Sequence, residues 1–158
     1  VFKHGAAASG LALTAFAFGM AVTMQFSGRL TDKIGRRPLI ITGLIVAGIF
    51  TGVLGLATSF WPLIILSAFA GVGGGLMGPA TQASLADIIG NDRSGGKVLS
   101  TFQMTQDAGQ ILAPIVVGAI AEAFGFEWAF GLCGVLCAIA LVTWLAIGKE
   151  TKPKEAAA

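Results

Sequence analysis

Gln103, Gln106, Asp107 and Gln110 lie in an otherwise apolar run at spacing i, i+3, i+4 and i+7. A helical period of 3.6 puts side chains at those offsets on one face. The stripe offers one carboxyl group that can take up and release a proton. It also offers three amides, each a donor and an acceptor without the cost of a charge. Surroundings poor in water disfavour the ionised carboxyl, which suits a proton carrier, while a nearby cation acts in the opposite sense. The plainer alternative is that Asp107 only hydrogen-bonds a neighbouring helix. Another amide, Gln82, follows Thr81 and precedes Ser84 near the end of the preceding apolar run, and it joins the candidates for binding a small molecule.

A second cluster is ionic. The stretch Gly28-Arg29-Leu30-Thr31-Asp32-Lys33-Ile34-Gly35-Arg36-Arg37-Pro38 packs four cations, one acid and two glycines between two long apolar runs. It reads as a tight charged loop in which Asp32, set between Arg29 or Lys33 and Arg36, has the spacing of a small charge network. Asp87 and Arg93 flank the next loop on the same side and extend that network. For Arg36 and Arg37 the simpler reading is solvated cations that set topology. That reading does not cover Asp32, because the topology rule concerns cations.

Other residues carry less. Cys133 and Cys137, four apart on an apolar helix, read as small packing residues with no disulfide or metal role. The single histidine, His4, has no partner at metal-ligand or catalytic spacing, so serines and aspartates elsewhere lack a base. The glycines sit inside apolar helices and do not form phosphate-binding loops. These features predict no enzyme, no metal, no cofactor and no nucleic-acid partner.

The elements that must position these groups are membrane helices. Of 158 residues, 55% are hydrophobic and 11% charged, and the mean hydropathy is +0.84, far from soluble averages. A bilayer core about 30 Å thick needs roughly 20 apolar helical residues, and the chain supplies five such runs, near 8–27, 38–59, 62–87, 97–122 and 128–147. Residues 1–148 therefore read as one transmembrane bundle and 149–158 as a charged tail. With the fourth helix starting near Val98, a rise of 1.5 Å per residue sets Asp107 roughly 14 Å deep, close to the midplane.

Arg29, Lys33, Arg36, Arg37, Arg93, Lys97, Lys149, Lys152 and Lys154 all fall on one side, with only Lys3 opposite. By the positive-inside rule that side is cytoplasmic, the N-terminus is outside and the tail is inside, with Trp61 and Trp128 at the outer interface. The chain opens at Val1 without an initiator Met or a cleavable signal pattern, which predicts that sequence precedes it.

The charged stretch resembles motif A of the major facilitator superfamily, G-x-L-x-D-x-x-G-R-R/K, in Gly28, Leu30, Asp32, Gly35, Arg36 and Arg37. The resemblance implies an all-α polytopic membrane bundle whose five helices form most of one six-helix half. The family's first half commonly carries an intramembrane Arg-x-x-x-Gly; here that segment reads Ser67-Ala68-Phe69-Ala70-Gly71, which points to helices eight to twelve. Gly109, Ala113, Pro114 and Gly118 resemble the small-residue and proline pattern of the family's drug antiporters, with Ala113 where a glycine would complete a Gly-Pro pair. The ending Gly148-Lys149-Glu150-Thr151-Lys152 differs from the Pro-Glu-Thr-Lys ending of sugar porters.

By resemblance the chain carries out secondary active transport of a small organic molecule by alternating access, as proton-coupled efflux of a drug or metabolite. The implied partners are that substrate, a coupling proton, the N-terminal half of the same transporter and the lipid bilayer, with a bacterial inner membrane as location. Asp32 is implied to dock against a helix end in the other half, and the third helix to line the central cavity. The second and fifth, nearly free of polar groups, are expected to face lipid. A five-span membrane scaffold or assembly module that transports nothing is the alternative.

Overall fold

In the computed structural model, which describes residues 5–57, 59–90 and 95–148, every regular element is an α-helix. The helices are α1 (Gly5–Ile34), α2 (Arg36–Leu54), α3 (Phe60–Ile89), α4 (Gly95–Phe124) and α5 (Phe126–Ile147). Each is long and apolar enough to cross a membrane. They run alternately up and down, so the α1–α2 junction, the start of α4 and the end of α5 share one end of the bundle. Arg93 and the tail 149–158 lie outside the described residues.

The expected charged loop is shorter than its sequence suggests. Helix α1 continues through Asp32 and Lys33 to Ile34, and α2 begins at Arg36, so a single residue makes the turn. That residue is Gly35, with φ 111° and ψ 166°, a conformation that a side chain would strain. Its N–H closes onto Thr31 O at 3.0 Å. The α4–α5 connection is equally abrupt, with Gly125 alone at φ 97°. Pro38 and Pro62 fall in the first turns of α2 and α3, where no intrahelical partner awaits their missing N–H.

Helix α3 is the packing centre, lying against both α1 and α2. Its glycines divide between these neighbours. A Cβ on Gly71 would meet the Phe16 carbonyl oxygen of α1, and one on Gly75 would lie 2.6 Å from Met20 O. Gly73 faces the other way, against Ala47 of α2, and Gly43 of α2 lies against Gly73 O and Met77. Small residues four apart thus let backbones approach, as membrane helices require where lipid supplies no hydrophobic drive. By contrast, a Cβ on Gly78 would meet nothing within 4 Å. Phe50 and Phe69 stack across the α2–α3 seam with ring centroids 4.9 Å apart.

Helix α2 keeps one exposed apolar face, at Ile45, Ile49 and Val53, but its other sides are packed against helices. Leu39, Ile40 and Leu44 are buried with Ala80 of α3, and Leu141 and Trp144 of α5 close over them. Gly48 meets Cys137 Cβ and Gly52 faces Gly134, so small residues, Cys137 among them, also bring α2 against α5. An apolar composition marks a helix as able to face lipid, but it does not distinguish a lipid face from a dry seam. Helix α5, in which Ala129 is buried, keeps the expected exposure along most of its length. Helix α4 leans chiefly on α5 and meets α3 over a short stretch.

Candidate functional site

The ionic cluster assembles at the α1–α2 turn. Because Gly35 reverses the chain in one residue, Arg36 comes back over the last turn of α1 and reaches across to α3. Its Nε donates to Asp87 Oδ2 at 2.8 Å, and its Nη1 donates to Thr31 O and Asp32 Oδ1, each at 3.4 Å. Arg36 and Asp87 side chains are 11% and 17% exposed, whereas Asp32 is 75% exposed. The short, shielded pair is therefore Arg36 with Asp87. Asp32 holds Arg36 only at its edge and presents its carboxylate outward.

Arg37, read as part of the same network, points elsewhere, with Nη2 donating to Leu145 O of α5 at 3.0 Å. Gly28 faces open space, where a Cβ would meet nothing within 4 Å. No contact among the described residues requires a glycine there. Beneath the cluster, buried Ser27 donates to Leu76 O at 3.0 Å and ties α1 to α3. Leu76 adjoins Gly75, whose carbonyl loses its helical partner to Pro79.

The four stripe residues lie within helix α4, and one bond joins two of them, Gln103 Nε2 donating to Asp107 Oδ1 at 3.2 Å. Gln103, Gln106, Asp107 and Gln110 are all exposed. Gln82 is exposed on α3 and makes no bond to the stripe. Asp107 lies twelve residues into the 30-residue helix, about 18 Å from its start at 1.5 Å per residue.

The contrast with the threonines is instructive. Thr14, Thr23, Thr42, Thr81, Thr105 and Thr143 each donate their hydroxyl to the carbonyl four residues back, at 2.8–2.9 Å. A hydroxyl on a short side chain satisfies itself within its own helix. For Gln106, Gln110 and the remaining lone pairs of Asp107, the described residues supply no such partner. A face of this kind is costly against lipid, on the order of 3 kcal/mol for the carboxylate alone at the bilayer centre. It calls for protein or water beside it.

A large cavity of about 1170 Å³ opens at the opposite end of the bundle, between Phe16, Ser67, Phe124, Glu127, Trp128 and their neighbours. None of the residues read from the sequence as candidates lines it. Among the described residues, no three His, Cys, Asp or Glu side chains gather as metal ligands would.

Five long apolar helices in up-and-down order, with an arginine-centred ionic cluster at a one-residue turn and an exposed polar stripe on one helix, describe a polytopic membrane protein. The chain belongs to the Major Facilitator Superfamily, whose family model matches residues 2–158. It is 31% identical over 134 residues to a multidrug resistance protein, MdtG, of Dickeya zeae, covering 84% of this chain and 32% of that protein. It is 32% identical over 142 residues to the multi-drug resistance efflux pump PmrA of Streptococcus pneumoniae, covering 90% of this chain and 35% of the pump.

In fold, it superposes on a solved peptide transporter, POT, in complex with sulfate. The TM-score is 0.80 at 23% identity, over 93% of this chain and 30% of that one. The chain thus spans about a third of the length of these proteins.

Proposed function

We propose that the chain is the C-terminal half, helices eight to twelve, of a proton-coupled secondary transporter that exports a drug or metabolite by alternating access. The observation that carries this reading is the α4 stripe: a carboxylate and three amides on one face of a membrane helix, exposed and without partners in neighbouring helices. A face that neither lipid nor the other described residues satisfy fits one wall of a polar cavity whose other wall comes from a second half. Similarity to a multidrug resistance protein and an efflux pump supports efflux of small organic molecules. In this reading the ionic cluster faces the cytoplasm of a bacterial cell, the N-terminus lies outside, and α4 binds the substrate through Gln103, Gln106 and Gln110, with Asp107 as proton carrier.

The cytoplasmic cluster acts as the gate. Arg36, held by Asp87, fixes the ends of α1, α2 and α3 as one block, and the outward carboxylate of Asp32 docks on the N-terminus of a helix in the other half, where free N–H groups and the dipole favour an anion. Gly28, one turn earlier on α1 and open on its own side, lets that helix come close.

Transport by the whole protein in proteoliposomes tests the cavity assignment. Gln103→Ala, Gln106→Ala and Gln110→Ala should each raise the half-saturating substrate concentration several-fold, since a lost hydrogen bond is worth about 0.5–1.5 kcal/mol. Unchanged kinetics in all three, with normal insertion, would remove the stripe from the substrate's route.

A further inference from the structure

Arg36 and Arg37 are neighbours on the first turn of α2, yet their guanidinium groups part. Arg36 serves α1 and α3 through Thr31 O, Asp32 and Asp87. Arg37 reaches 108 residues along the chain to Leu145 O. That carbonyl lies in the last turn of α5, where the final four carbonyls have no helical N–H and the dipole presents its negative end.

Among the described residues, the last turn of α5 holds no basic residue, and Gly148 adopts an extended conformation with its N–H on Trp144 O rather than on Leu145 O. The neighbouring Trp144 packs on the cluster of Leu39, Ile40, Leu44 and Ala80. The same turn is therefore seated by an indole on the apolar side and met by a guanidinium at its end.

We propose that Arg37 is a positioning residue, the C-terminal cap of α5 supplied from α2, and that the two adjacent arginines divide the work: Arg36 joins α2 to α1 and α3, and Arg37 joins α2 to α5. This goes beyond the transport reading and does not depend on it.

Hydrogen exchange of the whole protein in lipid nanodiscs tests it at the residues concerned. Arg37→Ala should speed exchange of the α5 amides from Trp144 to Gly148 about tenfold, as expected for losing a charged hydrogen bond at a helix end, and leave the ends of α1 and α3 unchanged. Arg37→Lys, which returns a cation to the carbonyl, should recover most of the protection. Arg37→Gln keeps a donor without the charge and replaces the alanine variant should that one fail to insert, with the same localisation at a smaller rise. Wild-type exchange at the end of α5 in the variant measured, or a rise spread equally over α1, α3 and α5, would overturn the proposal.

Discussion

At the residue scale, the consequential distinction is between side chains that satisfy themselves and those that do not. Threonine hydroxyls fold back onto their own helices, so they enter a membrane at low cost and say little about function. On α4, Gln103 and Asp107 meet only each other, and Gln106 and Gln110 have no such outlet among the described residues. Asp107→Asn keeps the size of the side chain and one acceptor oxygen for Gln103 but cannot take up or release a proton. The expected outcome is normal insertion and substrate binding with loss of the pH dependence of transport, measured as substrate flux against an imposed proton gradient. Wild-type pH dependence in that variant would make Asp107 a structural residue.

Asp32→Asn separates the two carboxylates of the ionic cluster. Because Asp32 is largely exposed and meets Arg36 only at 3.4 Å, its loss should change melting temperature little while slowing turnover by tenfold or so, the order expected for a docking contact of about 1–2 kcal/mol. Asp87→Asn, which removes the charge that meets Arg36 at 2.8 Å, should instead lower thermal stability. Local spacing pointed to Asp32 beside Arg36, four residues apart, whereas Asp87 meets Arg36 from 51 residues away. The sequence could not show that Arg37 leaves the group for α5, because a partner 108 residues away leaves no trace in local pattern.

Element by element, periodicity and hydropathy located all five helices, because a membrane admits few other ways to satisfy the backbone. The boundaries were less legible. Charged residues at 29–33 suggested a loop, yet α1 runs through them to Ile34, since helix-forming Arg, Leu and Lys need no apolar surroundings once outside the core. One glycine with positive φ was enough to turn the chain.

Nor did apolar composition reveal that α2 is packed between α3 and α5, as lipid and a helix neighbour ask for the same side chains. The glycines of α3 likewise look alike in sequence and differ in the fold. Gly71→Leu and Gly75→Leu drive side chains into the backbone of α1 and should destabilise by about 1–3 kcal/mol or more, read as a lower melting temperature in detergent. Gly78→Ala meets open space and should leave that temperature within a degree or two.

Across the whole molecule, the five helices bury little of α4 and leave its polar face to whatever lies beyond them. The chain spans about a third of each relative's length, and in the proposed reading a second half supplies the opposite wall. Orientation belongs to this scale too: the ionic cluster, the start of α4 and the end of α5 share one end of the bundle. Cysteines introduced at Arg29 and, separately, at Trp61 should react with an impermeant maleimide from opposite sides of the membrane, Arg29 from the cytoplasm. Labelling of both from the same side would reverse or break the topology.

The most direct measurement reconstitutes the whole protein in proteoliposomes, imposes a proton gradient and follows a fluorescent lipophilic drug, wild type beside Asp107→Asn. Proton-coupled efflux predicts that the drug moves against its own gradient in the wild type only while the proton gradient lasts, and that the variant merely equilibrates it. No gradient-driven movement by a correctly folded wild type, or equal accumulation in the variant, would contradict a proton-coupled exporter that works through the α4 stripe.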